Sequence, residues 1–148
     1  RMTFYSLIYD LRTFANQHPQ LQSFAFGPTE EVDLAKKGED EYPLLYAVPG
    51  SVVIDRGEMQ ITLDLIVAQP YFDETREEAL MQMLQIMGDV IAFATQSTNQ
   101  DNGLPYSILS EPPFSCEPFL VRFDNALIGW GCSMVFGSDH VNNFCLAL

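Results

Sequence analysis

The side chains able to do chemistry in this chain gather near its end. The stretch "FDNALIGWGCSMVFGSDHVNNFCLAL", residues 123 to 148, holds the only Trp, two of the three Cys and one of the two His. Cys132 or Cys145 with His140 could serve a hydrolase or transferase, the imidazole taking the thiol proton and the thiolate attacking an acyl carbon. Their spacings of eight and five residues neither require nor exclude contact. Alternation from Ile128 puts Trp130, Cys132 and Met134 on one strand face, where a free Cys is ordinarily a small core residue. The reactive reading therefore narrows to His140 and Cys145.

Metal chemistry is weaker. Cys116, Cys132, Cys145 and His140 could supply four ligands, but structural zinc sites bring ligands in closely spaced pairs, and C-x-x-C is absent. No metal or other cofactor is expected. His18, beside Pro19, reads as a charge partner for a helix C-terminus. Among the carboxylates, Asp64 and Asp89 stand apart from the charged clusters, and each reads as a surface position. Phosphate-loop, G-x-S-x-G and H-E-x-x-H patterns are all missing, so the chain is not expected to be an enzyme.

The elements that must position these residues are legible from periodicity. Phe4, Leu7, Ile8, Leu11, Phe14 and Ala15 recur at helical spacing after Thr3 and stop at Pro19. "LQSFAFG" reads as a strand. In "VVIDRGEMQITLDLIVAQP", Gly57 suits a left-handed turn position, and Met59, Ile61, Leu63, Leu65 and Val67 alternate with polar residues. Ile66 and Ala68 make both faces apolar at the far end, which predicts cover by a helix or another subunit. Thr75 and Glu78 form a capping-box pair opening a long helix, with a stripe of Leu80, Met83, Leu84, Met87, Val90, Ile91 and Ala94. After a polar loop, "QSTNQDNGLP", the runs "EPFLVRFD" and "LIGWGCSMVFG" read as strands joined through "DNA"; the adjacent prolines of "SEPPF" exclude a central strand there. The expectation is an α+β domain spanning residues 1–148, with the two helices packed on a largely antiparallel or mixed sheet. Residues at about 29–42 are expected to form an acidic exposed loop, with Glu30, Glu31, Asp33, Glu39, Asp40 and Glu41 facing solvent or a lumen.

Composition sets limits on partners. Twenty acidic against seven basic residues give a net charge of −13, which argues against affinity for a phosphate backbone. Three Cys without paired spacing suit a reducing site of synthesis, and no signal peptide or membrane-spanning run is evident in the sequence.

The "PF" segment, the strand into "RFDNALIGW", the alternating "GCSMVFG" and Asn-rich residues with a terminal Cys follow a hairpin and the helix "EEALMQMLQIMGDVIAFA". This pattern resembles small structural proteins of crAss-like and related tailed phages of Bacteroidetes. The element order is also similar to that of phage tail-terminator and tail-completion proteins, which sit as rings at the head-to-tail junction. The resemblance covers most of residues 44 to 145 and offers no catalytic motif to carry over. It implies a virion protein made in the host cytoplasm, forming a hexameric or dodecameric ring against portal or connector and tail proteins. DNA would pass an acidic channel without specific binding, and no membrane is involved. Phe144, Cys145, Leu146 and Leu148 are then candidates for the contact with a neighbour, while another tail or baseplate subunit remains the alternative of the same class.

Overall fold

The sheet is organised by one long hairpin. The computed structural model describes residues 3–28, 42–99, 106–122 and 126–138. Strands β2 (Leu44–Asp55) and β3 (Glu58–Pro70) are joined by Arg56 and Gly57, at φ 42° and 89°. A two-residue loop with both φ positive matches the right-handed twist of the strands, so Gly57 acts as the sequence predicts and Arg56 accepts the less natural of the two positions. The hairpin register slips once, between Pro49 and Val52.

Helix α1 (Thr3–Gln17) and strand β1 (Ser23–Phe26) come before the hairpin, and β1 pairs parallel to β2. After it come a 3-10 turn (Asp73–Thr75), helix α2 (Arg76–Asn99), β4 (Ser107–Ile108), β5 (Glu117–Arg122) and β6 (Ala126–Ser138). The described residues thus form an α+β fold with a curled mixed sheet of six strands. Its order is β1-β2-β3-β6, with β4 and β5 sharing the outer edge of β6.

One sheet face carries the core. Leu63, Leu65 and Val67 of β3 and Met134 and Phe136 of β6 are fully buried against Leu7, Leu11 and Ala15 of α1 and Met83, Met87 and Val90 of α2. Each fully buried aliphatic side chain contributes about 1.5–3 kcal/mol. The two helices meet through stacked Phe14 and Phe93, with ring centroids 4.6 Å apart. They are also tied by His18, whose Nδ1 accepts the Gln20 N–H while Nε2 lies 2.8 Å from the Asp89 carboxylate. The His18 ring is thus engaged by Gln20 and by Asp89 of α2, where the sequence reading had it as a charge partner for the end of α1.

The structure departs from the sequence reading in several places. At the doubly apolar end of β3, neighbouring strand residues supply part of the cover that was expected from a helix or another subunit. Tyr42, Leu44, Tyr46 and Leu127 form a second buried cluster there with Ile66, and the Tyr46 hydroxyl reaches the carbonyls of Gly27 (2.9 Å) and Pro28 (2.8 Å). Tyr42, the expected end of the acidic loop, is accordingly a buried residue.

Helix α2 differs at both ends and in rotation. The Thr75 hydroxyl pairs back to the Phe72 backbone, while Glu78 accepts from Gln82, so the predicted Thr75–Glu78 box is replaced by a turn that starts earlier. The helix also runs to Asn99, since the polar residues after Ala94 do not break helical backbone. Its buried face includes Ala79 and Ile86, leaving Leu84 37 % exposed. Strand β4, only two residues long, gave no periodic signal.

Gly88 lies on the outer face of α2 with nothing within 4 Å of an added Cβ. Gly88→Ala is therefore expected to stabilise the fold by about 1 kcal/mol, read as a higher urea midpoint at unchanged slope. A lower midpoint would mean that the position is not free.

Candidate functional site

The apolar face of the sheet does not end where the helices end. Beyond the β2 bulge, Val52 pairs with Ile61 and Ile54 with Met59, so the core alternation continues outward along the hairpin. Among the described residues none covers its outer part: Val52 is 48 % exposed and Ile54 62 %, with Val53 exposed on the other face. Exposed aliphatic ribbons of this kind mark contact surfaces. The tip of this arm carries Asp55, Arg56 and Glu58.

At the foot of the arm lies an apolar groove of about 300 Å³, walled by Phe4, Tyr5, Ile8, Phe26 and Ile61 and by Arg12. The Arg12 guanidinium sits 5.3 Å from the centroid of the Phe24 ring, a cation–π contact that holds it at the groove. Tyr5 (58 %) and Phe26 (40 %) are large exposed aromatics beside it. Helical spacing puts Tyr5 and Arg12 on one side of α1, and the parallel pairing of β1 to β2 brings Phe26 level with Ala47.

A second cavity, about 700 Å³, opens on the opposite face. It exists because β4 and β5 are two ends of an interrupted edge. From Ile108 to Glu117 the chain takes nine steps while β6 takes five, from Phe136 to Gly131, so four residues loop out. The Leu109 N–H to the Val135 carbonyl and the Val135 N–H to Ser110 Oγ, each 2.8 Å, anchor one end of this strap. Asp64 and Ser133 stand opposite each other in register on the cavity wall, the hydroxyl donating to the carboxylate, with Glu111 and Glu117 on the rim.

Asp64 therefore departs from the surface reading and is a half-buried cavity residue, while Asp89 is exposed as expected. Among the described residues no imidazole or ammonium lines the cavity, and the group that accepts the Ser133 hydroxyl is the Asp64 carboxylate. Among the described residues, no group of three His, Cys, Asp or Glu side chains could hold a metal ion.

Cys132 lies with Trp130 and Met134 in the core cluster, as alternation predicts. The Trp130 indole N–H donates to the Leu80 carbonyl at 2.9 Å, pinning α2 to β6. Burial, and then the neighbouring Cys116, push the Cys132 thiol up to about 11. A nucleophilic thiol needs the opposite shift, so Cys132 is poorly suited to the role weighed for it with His140. Tyr106 is another buried acid held neutral: burial, and then its hydrogen bond to Asp10, raise its pKa.

His140 and Cys145 lie outside the described residues, as do the contact candidates Phe144, Cys145, Leu146 and Leu148. So do the acidic loop residues Glu30, Glu31, Asp33, Glu39, Asp40 and Glu41. The arm and groove were missed from sequence because periodicity assigns a face to each residue but not the point where the helices stop covering it.

No helix among the described residues is long and apolar enough to cross a membrane. In comparisons with known proteins, the chain matches no family model and no curated sequence.

Proposed function

We propose that the protein is a structural virion subunit that assembles head to tail into a closed ring at the junction of phage head and tail. The observation that carries this reading is the uncovered apolar arm. A monomeric role gives no reason to extend a core face past its helices into solvent. A head-to-tail ring requires two unlike patches on each subunit, and the arm and the groove are such a pair. The occupant of the groove is therefore the arm of a second copy, its Val52 and Ile54 against Phe4, Tyr5 and Phe26. Charge supports the match, because Arg12 stands in the groove and Asp55 and Glu58 stand at the arm tip.

The net charge of −13 suits a channel wall. Each Lys or Arg contact to phosphate adds salt-dependent affinity, so a lumen poor in cations lets duplex pass without holding it. Portal or connector and tail proteins would contact the two faces of the ring.

Native mass spectrometry of the concentrated protein tests assembly. A discrete species of six or twelve copies is expected. A chain that stays monomeric at all concentrations, and is also missing from assembled particles, contradicts the proposal.

A further inference from the structure

We propose that Cys116 and Cys132 form a redox-active dithiol site, oxidised to an intrachain disulfide by exchange with a low-molecular-weight disulfide. The site stands independently of the ring reading. Its basis is register. Strand β5 pairs with β6 from Arg122 opposite Ala126 down to Glu117 opposite Gly131, and Cys116 and Cys132 are the next residues beyond that last pair. The same register carried one step further would bring their Cβ atoms to about 4.5–5.5 Å, within a small adjustment of disulfide geometry. Both thiols are free, one half-buried and one buried, and Cys116 packs against the core cluster that contains Cys132. Cys116 is the neighbouring group that, after burial, raises the Cys132 thiol. Cys132 also borders the 700 Å³ cavity, and Cys116 ends the strap that walls it.

The chemistry is ordered by access. The half-buried Cys116 thiolate attacks one sulfur of the disulfide reagent, the S–S bond breaks, and one thiolate leaves. Cys132 then gives up its proton, attacks Cys116 Sγ in the mixed disulfide, and expels the second thiolate. Both protein thiols lose their protons, the protein is oxidised by two electrons, and the reagent becomes two thiols. The second step is limited by thiolate at Cys132, because burial disfavours the charged form and still acts once Cys116 is in the mixed disulfide. Its rate should therefore rise about tenfold per pH unit through the neutral and mildly basic range. The bond would close the 15 residues 117–131 into a loop and fix the free end of the strap to β6. Thiols stay reduced in a cell interior and oxidise outside it, so the site would respond to release.

The test uses the full chain with Cys145→Ser, which removes the third thiol, incubated with oxidised glutathione under native conditions. Mass spectrometry and peptide mapping should find a Cys116–Cys132 link, no remaining free thiol, and a thermal midpoint raised by about 5–10 °C. Adding Cys132→Ser should stop the reaction at a glutathione adduct on Cys116, and adding Cys116→Ser should prevent both link and adduct. The Cys116 variant, at the half-buried position, keeps the test open where the Cys132 variant does not fold. A stable adduct in the Cys145→Ser protein without the internal link overturns the proposal. So does thiol reactivity that appears only after unfolding.

Discussion

Replacing Val52 and Ile54 together by Asp is expected to leave a folded monomer that no longer assembles. In the single chain these side chains are 48 % and 62 % exposed, so charges there stay hydrated and the thermal midpoint should move by no more than a few degrees. In the ring the same positions would press against Phe4, Tyr5 and Phe26 of the neighbour. Lost burial of about 1.5–3 kcal/mol per side chain, added to the penalty of drying an unpaired carboxylate, would act at every interface of the ring. The loss of affinity is thus expected to exceed a thousandfold per interface, a shift of more than about 4 kcal/mol. Native mass spectrometry beside a melting curve separates the outcomes. Assembly retained by the double variant removes the arm from the interface, and loss of folding places the arm in the monomer's own core. Arg12→Glu, which reverses the charge of the groove, should weaken assembly in the same direction, and introducing a basic partner for it at the arm tip, through Asp55→Lys, should recover part of the loss.

Gly129→Ala is expected to be the most damaging single methyl in the fold. A Cβ at this position of β6 would stand 1.8 Å from the Val67 carbonyl oxygen, a backbone atom of β3 with no room to move. Gly129 pairs with Ala68 in the central ladder of the sheet, so relief requires the two strands to separate where Leu63, Leu65 and Val67 are held. A cost of about 3 kcal/mol or more is expected, a large share of the 5–15 kcal/mol that typically holds a domain together. Gly131→Ala, two residues on, meets nothing closer than a side-chain carbon of Ile66 at 3.8 Å and should be nearly neutral. Urea denaturation of the pair distinguishes close approach from a general intolerance of this strand. Equal effects at both positions would contradict the account of the β3–β6 contact.

The fold was readable in sequence wherever a single face alternates. Gly57 and the run from Met59 to Val67 announced the hairpin, and Trp130, Cys132 and Met134 were assigned together to the core side, where they lie. Rotation of α2 was harder, because Leu84 and Ile86 are both apolar and only packing against β6 decides that Ile86 is buried and Leu84 is not. The second cluster under Tyr42 and Tyr46 depends on how the sheet curls, and the strap depends on four extra residues between two edge strands. Neither leaves a periodic trace. The candidate site shows the same division. "SVVID" was part of a strong strand signal, yet its exposure follows from the length of α1 relative to the hairpin, a property of the assembled elements. Asp64 read as an isolated surface carboxylate because its partner Ser133 lies 69 residues away along the chain.

The central claim is a place in a particle. Electron cryomicroscopy of assembled virions containing this chain tests it most directly. The account predicts sixfold or twelvefold density at the head-to-tail junction into which this α+β fold fits, with each β2–β3 arm laid across α1 and β1 of the next subunit. Density for the chain elsewhere in the particle, or a particle complete without it, would contradict the account.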